Sequence, residues 1–214
     1  MSIRTEAEEN LRVIRSLMEK ATVYRAISAP GALVGGLGAI AIAVHGIWLS
    51  HRSSSVLLRF ALPWLGLLVI TAGINIALLA REALRRGDPF FSPGMRLALR
   101  AMLPALLGGG AAALAFGLSE PEMLACLWVL FYGISLLAAA HFAPKSICWL
   151  GRAFFVAGFL LLACTPFVGF WPKIGDIAAV AHGIMGATFG LFHLVYAVCT
   201  WPRNRAAETT GGEP

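Results

Sequence analysis

His182 and His193 are the residues of this sequence best suited to chemistry, because an imidazole can carry a proton, ligate a metal or hold a haem iron. Eleven residues separate them. On an α-helix they would differ by about 20° around the axis and by about 16 Å along it. Gly186 and Gly190 fall between them on nearly the same stripe, giving His-x3-Gly-x3-Gly-x2-His. Such a face is bare backbone flanked by two imidazoles at different depths, and a flat macrocycle could approach it. Two further histidines match them in depth: His45 near the end of the first apolar run, and His141 at the end of the fourth. Opposed in the pairs His45–His182 and His141–His193, they could act as axial ligands of haem b. The plainer reading is structural. Histidines near helix ends reach the interface or bond a carbonyl, and Gly-x3-Gly is a helix-packing motif. Asn75 is the other polar group at depth, and an Asn there is expected to bond across to a neighbouring helix or to contact a ligand.

These residues sit in a chain that belongs in a bilayer. Hydrophobic residues make up 58% of the 214 and charged residues only 13%. A soluble domain carries roughly a quarter charged residues, and one of this size could not bury so much apolar surface. The apolar residues form runs of membrane-spanning length at about 27–49, 60–80, 101–118, 123–141, 153–170 and 177–200. The fold class expected is all-α: a polytopic membrane bundle of six transmembrane helices over residues 27–200. An amphipathic helix within residues 1–26 precedes it, and a polar, disordered tail at 201–214 follows.

In the N-terminal segment Thr5 and Glu8 have the form of a capping box. Leu11, Ile14, Met18 and Ala21 then make one apolar stripe, suited to the membrane surface or to a partner helix. Residues 1–25 carry no cleavable secretory signal, so the first span is expected to start insertion itself. Ser119-Glu120-Pro121-Glu122 reads as a turn and a second capping box. The basic connection 81–100 contains two turn signals, Gly87-Asp88-Pro89 and Ser92-Pro93-Gly94.

Charge sets the orientation. With the N-terminus inside, only Arg52, Arg59 and Lys173 of the 17 Lys and Arg fall on outer segments. The positive-inside rule then places both termini in the cytoplasm of a cell with an inner membrane. The net charge of +6 lies between the apolar runs and not along one helix face, which argues against nucleic acid as a partner. The six tryptophans all fall near run ends, as an aromatic belt does. The four cysteines (Cys126, Cys148, Cys164 and Cys199) stand alone and read as small buried apolar residues.

No motif marks an enzyme. The sequence has no HExxH, P-loop or GxSxG, and no carboxylate pair within an apolar run. Three functions are consistent with this pattern. The first is a non-catalytic multi-pass protein acting through contacts, as a subunit, sensor or scaffold. Beyond the lipid bilayer, its protein partner or second copy would bind through residues 11–21 and 81–100. The second is a b-type haem electron carrier, and the third a small transporter or channel around Asn75 and the glycine-rich helices.

Overall fold

A computed structural model describes residues 8–14, 28–49, 57–86, 93–116, 120–164 and 177–210. All of its regular structure is helical, and no strand occurs among these residues. The principal helices are α1 (Ala29–Leu49), α2 (Leu62–Arg86), α3 (Pro93–Phe116), α4 (Pro121–Ala138), α5 (Lys145–Cys164), α6 (Ile177–Met185) and α7 (Leu191–Thr210). A π-helical turn, Leu57–Ala61, leads into α2, and a second, Gly186–Gly190, joins α6 to α7. Five stretches are long and apolar enough to cross a membrane: Ala29–Leu49, Arg59–Arg85, Pro121–Ala138, Lys145–Cys164 and Ile177–Trp201. Helix α3, on the run expected to be the third span, is not one of the five. Arg96 and Arg100 occupy its first two turns, and its apolar stretch begins at Ala101.

Several boundaries differ from the sequence expectation, each for a local reason. Helix α2 runs through Arg81 to Arg86, and α3 begins at Pro93, so most of the connection 81–100 is helix. Arg, Glu, Ala and Leu favour helix even where they are too polar for a bilayer. Helix α5 starts at Lys145, immediately after Pro144, and carries Arg152 on its exposed side. Helix α4 begins with Pro121 at its first position and Glu120 at the cap, where no side chain makes the capping bond. Helix α7 continues to Thr210, through a stretch whose Arg, Ala and Glu are also helix formers. Of the N-terminal stripe, Leu11 and Ile14 lie on a helical stretch at 8–14 and are exposed, while Met18 and Ala21 lie outside the described residues.

Helix α1 is the centre of one half of the bundle because both of its faces are small. Ser28 caps it by accepting the Gly31 amide at 3.2 Å. Gly31, Gly35 and Gly38 turn toward α2, where Asn75, Thr71 and Leu67 fill the space that side chains would take. Gly36, Ala43 and Gly46 turn toward the α6–α7 rod. At the far end, the Arg59 guanidinium donates to the last carbonyl of α1, Leu49 O, at 2.6 Å, and closes the α1–α2 hairpin. The other half is built on α4 and α5, whose backbones meet at Gly133 and Gly158: a Cβ on Gly158 would stand 2.6 Å from Leu130 Cα. Helix α3 leans on α4 through Gly108 and Phe131, and the Trp128 indole donates to Gly109 O at 3.0 Å. The two halves join where α1 and α4 both pack on α6.

Candidate functional site

The π turn at Gly186–Gly190 decides where the two central histidines point. It inserts roughly one extra residue into the helix, which turns His193 off the stripe of His182 by about a quarter turn. The α-helical stripe expected from their spacing is therefore broken. His182 faces α1 and α2, and His193 faces α4 and α5.

His182 is almost wholly buried, at 2% exposure. Its ring lies flat against Gly46, the one position of α1 whose bare Cα admits it. The Trp64 indole N–H donates to His182 Nδ1 at 3.2 Å. Because Nδ1 accepts, the neutral ring carries its proton on Nε2. Phe60, within the first π turn, meets the ring edge-on at 5.1 Å and stacks on Trp128 at 6.1 Å. The π turn thus delivers Phe60 to the same place that Gly46 opens. Trp64, in the first turn of α2, is buried and Trp128 is half-buried, both bonded inside the bundle, whereas Trp48 and Trp149 stand exposed near helix ends.

His193 is held at both ring nitrogens. Nδ1 bonds the Phe189 carbonyl of its own helix at 2.8 Å, and a carbonyl can only accept, so Nδ1 carries the proton. Nε2 then accepts from the Tyr132 hydroxyl at 3.0 Å. Phe154, at 5.5 Å, and Phe189, at 6.1 Å, enclose the ring. Each histidine is therefore a neutral acceptor for an aromatic donor on another helix: a Trp on α2 in one case, a Tyr on α4 in the other.

The structure does not assemble the expected imidazole pairs. His45 is level with His182, since its neighbour Gly46 touches that ring, but its own side chain is exposed. His141 is also exposed, on the 3-10 turn Ala140–Phe142. His193 is level with Tyr132, which precedes His141 by nine residues, about 13 Å of helical rise. The Gly186–Gly190 face is covered by α1: a Cβ on Gly186 would meet Ala43, and one on Gly190 would meet Ile40. With that face filled and the free lone pairs of both rings taken, the four histidines do not fit a bis-imidazole haem as they stand. Among the described residues, no three His, Cys, Asp or Glu side chains converge as metal ligands do.

The remaining polar groups turn back on their own helices. Asn75 Nδ2 donates to Thr71 O at 3.0 Å, and its Oδ1 is buried against Gly31 without a hydrogen-bond partner, so the expected bond across helices is not made. Glycine at position 31 leaves room for the amide, whose oxygen would collide with a Cβ there. The hydroxyls of Thr71, Thr188 and Thr200 each bond the carbonyl four residues before them, which satisfies them without a ligand. Of the cysteines only Cys126 is buried; Cys148 is half-buried, and Cys164 and Cys199 are exposed on outward helix faces.

The residues that matter most here and were not singled out from the sequence are Gly46, Phe60, Trp64 and Tyr132. A signal for Gly46 existed: Ala29, Ala32, Gly36, Ala39, Ala43 and Gly46 recur at alternating spacings of three and four, and all are buried. No family model, curated protein or solved structure matches the chain.

Proposed function

We propose that this chain is a six-span protein of a bacterial-type inner membrane, with both termini cytoplasmic, that works through contacts as a subunit, sensor or scaffold. The distribution of Lys and Arg supports the orientation. Helix α3 is proposed as the sixth crossing, since an even number returns the C-terminus to the side of the N-terminus. The internal polar pairs support a structural role for the histidines. Trp64–His182 ties α2 to α6, and Tyr132–His193 ties α4 to α7.

The observation that carries the contact reading is the bareness of α2. Only 6% of its apolar window is buried, against 28–44% for the other four spans. It packs mainly on α1 and leaves Leu65, Leu68, Val69, Ile70 and Ile76 outward. A Cβ at Gly66 or Gly73 would meet open space, so another helix could come close there. The exposed stripe at Leu11 and Ile14 and the basic segment 81–100 would extend the same surface on the cytoplasmic side.

Photo-crosslinking in intact membranes tests this reading. A crosslinker at Val69 or Ile70 is expected to trap a discrete protein species that one at Phe159 or Val195, on the outward faces of α5 and α7, does not. Gly66→Leu with Gly73→Leu is expected to abolish it. Lipid adducts alone at all four positions would sink the contact reading. Reporter fusions after residues 86 and 205 are expected to read cytoplasmic and one at Ser54 external; an external reading at 86 would overturn the orientation.

A further inference from the structure

Helix α5 carries a cation inside a membrane-spanning helix, and an apolar crevice opens a short way along the same ridge. Arg152, Val156, Leu160 and Cys164 are spaced four apart and all are exposed, so they form one continuous row on the outside of α5. The Arg152 guanidinium sits 5.0 Å from the centre of the exposed Trp149 ring, an aromatic of the kind that marks the headgroup level. Beyond it lies a crevice of about 520 Å³ between α5 and the α6 rod. Leu160, Leu161 and Cys164 line one wall, and Gly183, Ala187 and Thr188 the other. The crevice is open at Gly183, where a Cβ would meet nothing within 4 Å. The Thr188 hydroxyl is bonded to Ile184 O at 2.7 Å and offers a ligand no free donor.

Depth relates the two features. The α5 wall of the crevice runs from Ala157 to Cys164. That is about 8 to 18 Å of helix beyond Arg152, while one leaflet of the hydrocarbon core is about 15 Å deep. An occupant with an anionic head at Arg152 and an apolar tail would therefore lie along the ridge with its tail in the crevice. A soluble ligand has no route to an apolar opening at that depth, but a lipid does. The volume is within the roughly 300–1,000 Å³ of ordinary ligand sites.

We infer that Arg152 and the crevice between α5 and α6 bind one anionic phospholipid. Its phosphate rests at Arg152 beside Trp149, and one acyl chain runs over Val156 and Leu160 into the space left by Gly183. The lipid comes from whichever leaflet holds the Arg152 end, so the site does not depend on the orientation proposed above.

Native mass spectrometry of the full chain in detergent tests this, with phosphatidylglycerol and phosphatidylcholine titrated separately. The wild type is expected to bind a single phosphatidylglycerol about fivefold more tightly than phosphatidylcholine, the preference one cation near the headgroup supplies. Arg152→Gln should abolish the preference while leaving the melting temperature unchanged. Gly183→Leu should weaken binding of both lipids by about fivefold or more, because its side chain projects into the crevice where the acyl chain would lie. Ala187→Leu fills the same space from an exposed position and serves if Gly183→Leu does not fold. Equal affinity of the wild type for the two lipids, a preference that survives Arg152→Gln, or undiminished binding in a folded crevice-filling variant would each overturn the site.

Discussion

Replacing Gly46 by Ala is the sharpest test of how the His182 site is built. The new methyl would fall inside contact distance of three atoms of the imidazole, Nδ1, Cε1 and Nε2. The ring has no room to retreat, since Phe60 lies edge-on at 5.1 Å and Trp64 is bonded to Nδ1 at 3.2 Å. Overpacking a filled site costs about 1–3 kcal/mol. Displacing the ring also breaks the indole bond, worth about 1 kcal/mol between membrane helices. The expected loss is therefore roughly 2–4 kcal/mol. It would be read as a drop in the detergent melting temperature together with a change in tryptophan emission as Trp64 loses its partner. A double-mutant cycle isolates the cause: with His182→Ala already present, Gly46→Ala should add almost nothing, giving a coupling of about 2 kcal/mol or more. Full stability in Gly46→Ala, or additive effects of the two changes, would refute the claim that this glycine exists to seat the imidazole.

Tyr132→Phe should lower stability by about 1 kcal/mol, because His193 Nε2 loses its donor at 3.0 Å while the ring stays fixed to Phe189 O; a variant as stable as wild type in thermal unfolding would mean the pair contributes nothing. Glycines should divide by what surrounds them. Gly158→Ala meets the Leu130 backbone and should lower the melting temperature sharply, whereas Gly110→Ala enters open space and should be neutral or raise it slightly. Comparable losses at both positions would show that α4 and α5 do not touch as described. Asn75→Ala should cost little, since it removes a buried oxygen with no partner and relieves crowding at Gly31; a loss above about 2 kcal/mol would point to a bond the structure does not contain.

The composition and the spacing of the apolar runs determined the class of this protein and most of its helices. The first and last spans, expected at 27–49 and 177–200, are Ala29–Leu49 and Ile177–Trp201. A bilayer accepts only long apolar segments that satisfy their own backbone, so such segments declare themselves from sequence alone. Polar ends were less legible. Basic residues 81–86 continue α2 because helix formation depends on local propensity, while a hydropathy reading tracks only the apolar part. The prominence of His182 and His193 was legible too, since polar side chains are scarce at depth.

Their geometry was not legible. A spacing of eleven implies a shared face only while every residue turns by about 100°, and the π turn at Gly186–Gly190 breaks that rule. The turn lies where α1 packs closely: a Cβ on Gly186 would meet Ala43, one on Gly190 would meet Ile40, and Gly46 receives the ring one turn before it. Partner choice was likewise a tertiary matter: Trp64 lies 118 residues from His182, and Tyr132 lies 61 from His193. Depth along a span can be counted from the sequence. Which helices stand side by side depends on where small residues let backbones approach, and only the assembled bundle decides that.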